Sequence, residues 1–402
     1  MRPIAKRMAQ IPFSAIRTML ERVTKLEKAG ADIIHLEVGS PDFDTPQHIK
    51  QACQQAINDG QVQYTSNYGI MPLREAISAK FSADNQLDYD PQNEIIVTNG
   101  VSQGIVATML ALLDPGDEVL IMAPIFPAYQ SAAQMAGAAT VTVPVYAKND
   151  YQPQMGDLIA AKTQQTKMVV ITTPGNPSGV VFNRQTLQHI ADFAIDNDLL
   201  VISDEIYEKI IYDNCEHVSI GALPGMRERT ITLNGFSKSH AMTGWRLGYI
   251  GGDAPLVDAI IRIHQNSVVC ATTFAQWGGV AALEGTQQPT LAMVEECDRR
   301  RRLMIEQLQK IPQISFVRPQ GAMYIFIDVT DAPLDAFELA NALLEKVNIA
   351  VVPWDERHIR LSYGNSYENL EIAMKRMQDY FAGRSDGVRD LESQINPIKS
   401  KC

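Results

Sequence analysis

Residues 168–207 decide the fold, and they read MVVITTPGNPSGVVFNRQTLQHIADFAIDNDLLVISDEIY. An apolar run at Met168–Thr172 predicts a strand, the glycine- and proline-rich stretch Thr173–Gly179 predicts a turn, and Arg184–Asn197 predicts a helix. Leu199–Ser203 is a second apolar run of strand type. A strand, a helix and another strand in this order form the unit from which parallel sheets are built. Because the two runs are apolar throughout, we expect helices to cover both faces of the sheet.

The same alternation continues on both sides of this unit. The pattern is typical of an α/β domain whose mostly parallel sheet is covered by helices, and we assign it to residues 46–285. Thr45 and Pro46 are expected to open its first helix, as N-cap and first helical residue. Further strands are predicted at Ile95–Thr98, Glu118–Met122, Thr140–Val145 and Thr230–Leu233, and further helices at Gln103–Leu113 and Ala128–Ala136.

A different pattern begins with a long charged helix at Pro289–Lys310. The short strands and helices that follow it predict a smaller α+β domain over residues 286–382. Residues 1–45 precede the strand–helix alternation, and we expect them to pack with this smaller domain. Residues 383–402 form a polar tail that we expect to be poorly ordered.

Length and composition exclude several classes of protein. With 402 residues the chain is long enough for two or three domains, and 46% hydrophobic with 20% charged residues is not the composition of a wholly disordered chain. A formal net charge of −11 disfavours nucleic-acid binding as the main role. No apolar run approaches the roughly 20 residues that a membrane span needs, so no membrane association is predicted.

The cysteines indicate a reducing compartment. They are scattered along the chain without CxxC pairing, and the basic N-terminus lacks the apolar run of a signal peptide. We therefore expect free thiols and a cytoplasmic protein. The five cysteines are Cys53, Cys215, Cys270, Cys297 and Cys402. No metal site is predicted.

Asn234–Tyr249, which reads NGFSKSHAMTGWRLGY, is the most informative stretch for chemistry. Lys238 follows a strand among small and hydroxyl-bearing residues, and Arg246 lies eight positions further on. An isolated lysine is almost always a solvated surface residue, but a partly buried one is easily deprotonated and can form a Schiff base. Arg246 is either a salt-bridged core residue or a phosphate ligand.

Three further stretches follow predicted strands. In Ser203–Tyr207, SDEIY, Asp204 is either a helix cap or a carboxylate at the carboxyl end of a sheet strand, where α/β proteins bind ligands. Thr173–Gly179 is by itself only a turn signal. In Val97–Gly104, VTNGVSQG, a glycine turn precedes a helix, and the backbone N–H groups of such a helix start bind anions. Alone, this third signal fits any strand–turn–helix connection.

Together the four stretches occur in the order and spacing of one family. From about residue 10 to residue 382, the sequence resembles the pyridoxal 5′-phosphate enzymes of fold type I, and within them the class I aminotransferases of the aspartate aminotransferase type. The motifs that carry the resemblance are GSPDFDTP (Gly39–Pro46), Tyr64 with Gly69 and Leu73-Arg74, TNGVSQ (Thr98–Gln103), PGNPSG (Pro174–Gly179), SDEIY, SKSHAMTGWRLGY (Ser237–Tyr249) and IRLSYG (Ile359–Gly364).

The resemblance implies a cofactor site with defined roles. Lys238 is expected to hold pyridoxal 5′-phosphate as a Schiff base and, once released, to move a proton at the substrate. Asp204 is expected to keep the ring nitrogen protonated. Tyr207 and Asn176 are expected to hydrogen-bond the ring hydroxyl oxygen, and Phe126 is expected to stack on the ring. Without the resemblance, Phe126 is interpreted as an ordinary core residue.

The resemblance also implies how the cofactor phosphate is held. The expected ligands are the backbone of Gly100, Val101 and Ser102, the Ser102 hydroxyl and Arg246. Tyr64 is expected to reach the phosphate of the neighbouring subunit, which implies a homodimer with shared active sites. The alternative for Tyr64 is a loop tyrosine that covers apolar surface.

Arg360 is the expected binding group for the substrate α-carboxylate. The resemblance implies a bidentate pair with that carboxylate, supported by Asn176 and by the Gly39 backbone. A structural arginine of the smaller domain is the alternative, but the position of Arg360 within RLSYG disfavours it.

The chain departs from the family pattern at three places. Gly235 stands where many relatives carry a phosphate-binding serine, and Ser102 stands where some aspartate-specific relatives carry a lysine for the second carboxylate. The segment Val352–His358, which contains Trp354, is shorter than the loop usual before the carboxylate-binding arginine. We therefore expect neutral or aromatic amino acids to compete well with aspartate as amino donors.

The expected reaction is transfer of an amino group from an L-amino acid to a 2-oxo acid. The same cofactor apparatus also serves β-eliminating C–S lyases and decarboxylases, so the fold alone does not decide the reaction. A non-catalytic pyridoxal phosphate sensor or scaffold is a further alternative. Such a regulator usually needs a DNA-binding domain, for which the chain has no room, and intact Lys238, Asp204 and Arg360 also argue against it.

Overall fold

The computed structural model describes residues 4–9, 11 and 15–384, so most of the predicted polar tail, residues 385–402, lies outside the described residues. The α-helices are α1 (Ala15–Lys28), α2 (Gln47–Asn58), α3 (Met71–Lys80), α4 (Val101–Leu112), α5 (Ala128–Ala136), α6 (Met155–Ala161), α7 (Arg184–Asp196), α8 (Ala254–Ser267), α9 (Thr273–Glu284), α10 (Gln288–Leu308), α11 (Ala336–Val347) and α12 (Tyr367–Phe381). The strands are β1 (Ile34–His35), β2 (Ile95–Thr98), β3 (Glu118–Ala123), β4 (Ala139–Pro144), β5 (Thr166–Thr172), β6 (Leu200–Asp204), β7 (Thr230–Gly235), β8 (Gly248–Gly251), β9 (Ser315–Phe316), β10 (Tyr324–Asp328), β11 (Ile349–Ala350), β12 (Val352–Pro353) and β13 (His358–Ser362).

A seven-stranded sheet forms the centre of the molecule, with the strand order β2-β8-β7-β6-β5-β3-β4. The strands from β4 to β7 are parallel to one another, and β8 runs antiparallel to both β7 and β2. The mostly parallel sheet that the sequence predicts is therefore confirmed.

Helices cover both faces of this sheet, as the uninterrupted apolar strands require. Along β5, Met168 and Val170 pack in a cluster with side chains of α4, α5 and α8. The alternate residues Val169 and Ile171 pack on the other face, in a cluster with side chains of α7. Because successive side chains of a strand point to opposite faces, one apolar run supplies both clusters.

The strand β8 is not predicted from the sequence, because its glycines do not favour a strand. The same glycines let other parts of the chain approach β8 closely. Gly248 pairs with Gly235 across the sheet. A Cβ atom at Gly248 would lie 2.8 Å from the backbone nitrogen of Val101, so a side chain here would push α4 away from the sheet. The missing side chain lets the first turn of α4 approach the sheet closely.

A four-stranded antiparallel sheet, in the order β12-β13-β10-β9, forms a second layer near the end of the described chain. Its core also contains Met19, Val23 and Leu26 of α1. In addition, β1 pairs in parallel with β11, so that Ile34 lies opposite Ile349. The boundaries of the domains at residues 45/46 and 285/286 stay predictions.

One predicted helix start is wrong. Pro46 takes the N-cap position of α2, and no side chain caps the helix. The Thr45 hydroxyl instead donates a hydrogen bond to the Ala241 carbonyl at 2.7 Å and accepts one from the Trp245 indole N–H at 3.0 Å. Thr45 therefore ties the chain before α2 to the segment after Lys238, a long-range role that local sequence does not reveal.

None of the helices among the described residues combines the length and the apolar composition that crossing a membrane requires.

Candidate active site

Polar side chains from three adjacent strands meet at the carboxyl edge of the large sheet. The turn Thr173–Gly179 follows β5, Asp204 is the last residue of β6, and Lys238 lies shortly after β7. In open α/β sheets this edge is where ligands bind. A cavity of about 260 Å³ opens at this point.

Most of the site residues predicted from the sequence line this cavity. They are Gly39, Val101, Ser102, Phe126, Asn176, Asp204, Tyr207, Lys238, Arg246 and Arg360. Two predicted residues do not line it, Gly100 and Tyr64. Lining residues that sequence reasoning missed include Tyr129, Thr172, Ser237, Thr243 and Tyr324.

Lys238 is partly buried, and its Nζ donates a hydrogen bond to the Gly39 carbonyl at 2.5 Å. The same Nζ lies 5.8 Å from the centre of the Tyr207 ring. Burial lowers the pKa of Lys238 below its ordinary value, and the cations Arg360 and Arg246 lower it further. A lysine that loses its proton this readily is suited to act as a nucleophile and as a base.

Asp204 is a buried carboxylate, 4% exposed. Its Oδ2 accepts a 2.5 Å hydrogen bond from the Tyr129 hydroxyl, and its Oδ1 accepts one from the backbone N–H of Ile206 at 3.1 Å. Burial raises the pKa of Asp204 to about 6. Residues 206–209 form a turn and no helix, so the alternative role of Asp204 as a helix cap is wrong.

Tyr129, which holds Asp204, lies three residues after Phe126 on the first turn of α5. Its hydroxyl also accepts a 3.1 Å hydrogen bond from Thr172 at the end of β5. The sequence does contain a signal for this contact, which is a tyrosine on an otherwise small and apolar helix face. Such a tyrosine is expected to be buried, and a buried hydroxyl needs a polar partner.

Arg246 and the first turn of α4 form an anion-binding corner. Gly100, at the N-cap of α4, has a φ of 78°, and no side chain caps the helix. A Cβ atom at Gly100 would lie 2.6 Å from the Arg246 guanidinium. The arginine donates to the Thr243 carbonyl at 2.8 Å and forms no ion pair among the described residues. Free backbone N–H groups beside an unpaired guanidinium are the donor set that phosphate prefers.

Arg360 is almost fully buried, 1% exposed. It donates to the Asn176 side-chain oxygen at 3.1 Å and to the Glu37 carbonyl at 2.5 Å. Its Nε has no hydrogen-bond partner, and within the described chain no carboxylate side chain forms an ion pair with it. Leaving a buried cation without an anionic partner is costly, so Arg360 is suited to bind an anion that enters the cavity.

Tyr207 and Tyr324 place two phenol groups side by side in the cavity. Their hydroxyl oxygens lie 2.6 Å apart, and the Arg360 guanidinium lies 4.5 Å from the centre of the Tyr324 ring. Burial raises the pKa of Tyr207 well above its ordinary value, so it is a neutral phenol. The sequence offered no signal for Tyr324 beyond its position near Arg360 on the neighbouring strand.

Phe126 lies at the edge of the cavity, with its ring 6.5 Å from the Tyr129 ring in an edge-on contact. Trp354, in the short segment Val352–His358, does not line the cavity. It packs edge-on against Phe326 at 6.0 Å, and its ring centre lies 5.9 Å from the Arg360 guanidinium. Trp354 is therefore a neighbour of Arg360 outside the lining of the cavity.

Tyr64 lies apart from this site and is 84% exposed. It lines a separate surface cavity of about 370 Å³ together with Val268 and residues 270–274. Within one chain it is not brought to Lys238, and its predicted role at a neighbouring subunit stays a prediction.

The residues of the cavity fit pyridoxal 5′-phosphate. Three cations, Lys238, Arg246 and Arg360, face a single carboxylate, Asp204, so the cavity favours anionic ligands. The corner at Gly100 has room only for a residue without a side chain, which leaves the backbone N–H groups of α4 accessible. The orphaned Nε of Arg360 has the chemistry to receive a second anion.

Comparisons with known proteins agree with this geometry. A family model described as aminotransferase class I and II matches residues 31–377. The aromatic-amino-acid aminotransferase 2 of Thermococcus litoralis is 38% identical, over 93% of this chain and 97% of the relative. The aspartate aminotransferase of Pyrococcus abyssi is 41% identical, over 86% and 91%. The solved structure of aspartate aminotransferase from Thermus thermophilus with maleate is 36% identical, with a TM-score of 0.90 over 94% of this chain and 99% of that one.

Proposed function

The chain belongs to the family of class I and II aminotransferases and is a transaminase, and we propose that it works with pyridoxal 5′-phosphate bound in the cavity at the carboxyl edge of the sheet. The observation that carries the proposal is the convergence of Lys238, Asp204, Arg246 and Arg360 on that one cavity. When bound, this cofactor supplies an aldehyde that condenses with amines and a conjugated ring that withdraws electrons from the substrate Cα.

We assign to the residues of the cavity the parts of the cofactor that each would hold. The uncapped start of α4 and Arg246 hold the phosphate. Asp204, kept in place by Tyr129, accepts a hydrogen bond from the protonated ring nitrogen, and Phe126 covers a face of the ring. Tyr207 donates to the ring hydroxyl oxygen, as does the side-chain amide of Asn176.

Lys238 and Arg360 act on the amino acid. The lowered pKa of Lys238 favours loss of its proton, and the neutral amine takes up the proton from the substrate Cα and returns it during transfer. Arg360 binds the α-carboxylate with its unpaired donors, and Asn176 holds the guanidinium in plane. Every good substrate should therefore carry an α-carboxylate.

For the amino donor, the cavity favours neutral and aromatic side chains over aspartate. The three cations that line it already have assigned partners, and no fourth cation lines it among the described residues. Ser102, which is exposed and neutral, stands at the position where a lysine would bind a second carboxylate. Losing one charge-assisted contact costs about 1.5–3 kcal/mol, or roughly ten- to a hundredfold in specificity.

The experiment is a panel of kcat/KM values for aspartate, alanine, methionine and phenylalanine with 2-oxoglutarate as the acceptor. We expect the neutral and aromatic donors to equal or exceed aspartate, and Ser102→Lys to raise the aspartate value by about tenfold or more. A preference of the wild type for aspartate above roughly a hundredfold would reveal a second carboxylate site elsewhere.

A C–S lyase with the same cofactor is the competing reaction. The names of the relatives described above do not favour it, because all of them are aminotransferases. Measuring ammonia release beside oxo-acid formation separates the two reactions. Amino transfer conserves the amino group, whereas β-elimination releases it as ammonia.

We also place the enzyme in the cytoplasm as a homodimer with shared active sites. The four cysteines in the described chain are free thiols, which suits a reducing compartment. Val62 and Tyr64, whose side chains are exposed, line one surface cavity, and the exposed Val269 lies in the segment 268–274 that supplies most of its other lining residues. A second copy that covers this surface would bring its own Tyr64 to the neighbouring phosphate site.

A further inference from the structure

The two phenol groups in the cavity form a hydrogen-bonded pair that the assigned roles do not explain. Tyr207 is 3% exposed and Tyr324 is 1% exposed, and their rings meet edge-on with centroids 5.7 Å apart. Their oxygens lie 2.6 Å apart. Among the described residues, neither hydroxyl has another hydrogen-bond partner, so one hydrogen is shared between them and the other is free to point elsewhere.

This pair connects two sheets of the molecule. Tyr207 follows β6 of the large sheet, whereas Tyr324 begins β10 of the four-stranded sheet. On the neighbouring strand β13, Arg360 lies opposite Phe326 of β10. The hydroxyl pair therefore joins the side of the site that carries Asp204 to the side that carries the carboxylate-binding arginine.

The surroundings of the pair favour one of its two hydroxyls as the donor. The Arg360 guanidinium lies 4.5 Å from the centre of the Tyr324 ring, whereas Lys238 Nζ lies 5.8 Å from the centre of the Tyr207 ring. The nearer cation draws more electron density from its phenol and so favours Tyr324 as the donor. Gly39 closes the opposite side, because a Cβ atom there would lie 2.3 Å from the Tyr324 oxygen. Tyr324 is thus held against Gly39, with its hydroxyl oxygen 2.6 Å from that of Tyr207.

We propose that Tyr324 is a positioning residue that donates its hydrogen to Tyr207 and thereby directs the Tyr207 hydrogen into the cofactor cavity. The inference rests on the proposed function, in which Tyr207 donates to the ring hydroxyl oxygen. Hydrogen bonds in a chain polarise one another, so Tyr207 donates more strongly with Tyr324 behind it than without it.

The experiment is a pH titration of the visible absorption of the holoenzyme. A hydrogen bond from Tyr207 would stabilise the anionic ring oxygen of the bound cofactor and would therefore favour the deprotonated form in this titration. Tyr324→Phe should therefore raise the titration midpoint by about 0.3 pH unit, because Tyr207 keeps its own hydrogen bond and loses only the strengthening that Tyr324 provides. Tyr363→Phe is the matched control, because this tyrosine is equally buried but its hydroxyl bonds the Ala322 carbonyl at 3.1 Å, a contact outside the pair.

A double variant separates positioning from simple structural damage. If Tyr324 acts through Tyr207, then Tyr207→Phe combined with Tyr324→Phe should titrate like Tyr207→Phe alone. Additive shifts in the double variant, or a wild-type midpoint in Tyr324→Phe, would overturn the inference. A wild-type protein that takes up no visible cofactor would instead overturn the proposed function, so the two failures are distinguishable.

Discussion

Asp204 is a buried carboxylate without a cationic partner among the described residues. It is buried, it accepts hydrogen bonds from Tyr129 and from the backbone of Ile206, and it forms no ion pair within the described chain. Burial raises its pKa to about 6, which shows that the ionised form lacks a nearby cation of sufficient strength. A protonated ring nitrogen supplies that cation and would restore full ionisation.

Asp204→Asn tests this role, because asparagine has nearly the same shape and keeps one of the two oxygens that accept hydrogen bonds from Tyr129 and Ile206. We expect the variant to fold with a slightly lower melting temperature, because one of these donors loses its acceptor. We expect kcat to fall by about a hundredfold or more, because the fixed negative charge that stabilises the transition state is lost. Steady-state kinetics and a thermal melt give both quantities. Near-normal turnover would reduce Asp204 to a residue that holds the turn at 206–209.

Gly100 has no side chain, and this leaves room for the Arg246 guanidinium at the proposed phosphate site. Gly100→Ala should weaken cofactor binding by about tenfold, because the new methyl group must displace the Arg246 guanidinium. Gly116→Ala is the matched control, since Gly116 also has a positive φ but a Cβ atom added there would meet nothing within 4 Å. Both variants strain the backbone, and fluorescence titration with the cofactor should separate them. Equal affinities in the two variants would contradict the phosphate assignment.

The sequence predicts elements well where the signal is local. The helix at Ala128–Ala136 has the predicted bounds, and the helix at Arg184–Asp196 ends one residue before the predicted Asn197, because each has regular apolar spacing between clear turn residues. Four residues at Gly248–Gly251 become a strand only through pairing with β7 and β2, a long-range effect. Site residues within recognisable motifs were found in the same way, whereas Tyr129 and Tyr324 lie in ordinary helix and strand sequence and acquire their roles only from tertiary contacts.

One contact between elements predicts how stability depends on pH. His35 of β1 makes a 2.7 Å hydrogen bond to the buried Glu37 and one of 3.0 Å to Glu27 of α1. The bond to Glu37 is the main reason that its pKa rises from 6.5 to about 9. Because this pKa is higher in the folded than in the unfolded protein, protonated His35 stabilises the fold. The contribution is fully present below pH 6.5 and is lost as the pH rises through about 9.

We therefore expect the melting temperature of His35→Gln to lie below that of the wild type at about pH 6 and to approach it at about pH 10. At the lower pH, the free energy of unfolding should differ by about 1 kcal/mol after allowance for solvent screening. His189→Gln, an exposed change on α7, is the control and should show no such dependence. A gap that stays constant with pH would show that His35 stabilises by packing alone.

At the scale of the whole molecule, charge is divided between surface and site. The chain carries a net charge of −11, yet its cofactor cavity is lined by three cations and one carboxylate. The acidic surface disfavours polyanions such as nucleic acid, while the cavity selects small anions that enter it. This division is consistent with a transaminase acting on free amino and oxo acids.

Subunit hybrids test whether the active sites are shared. Lys238→Ala and Tyr64→Ala homodimers should each be nearly inactive. After subunit exchange in equal amounts, the hybrid regains one site with both residues intact, so about a quarter of wild-type activity should return. Arg360 and Lys238 line the same cavity of one chain, so a hybrid of Arg360→Ala with Lys238→Ala should regain none. An active protein that stays strictly monomeric would exclude the shared site.

The proposed function depends above all on Lys238 as the residue that carries the cofactor in the cavity at the carboxyl edge of the sheet. The direct measurement is reduction of the purified holoenzyme with borohydride, followed by peptide mapping with mass spectrometry. We expect one pyridoxyl group per chain, on the peptide that contains Lys238, and none in Lys238→Ala. A covalent label on any other lysine, or a wild-type enzyme that transaminates with no label at all, would contradict this assignment.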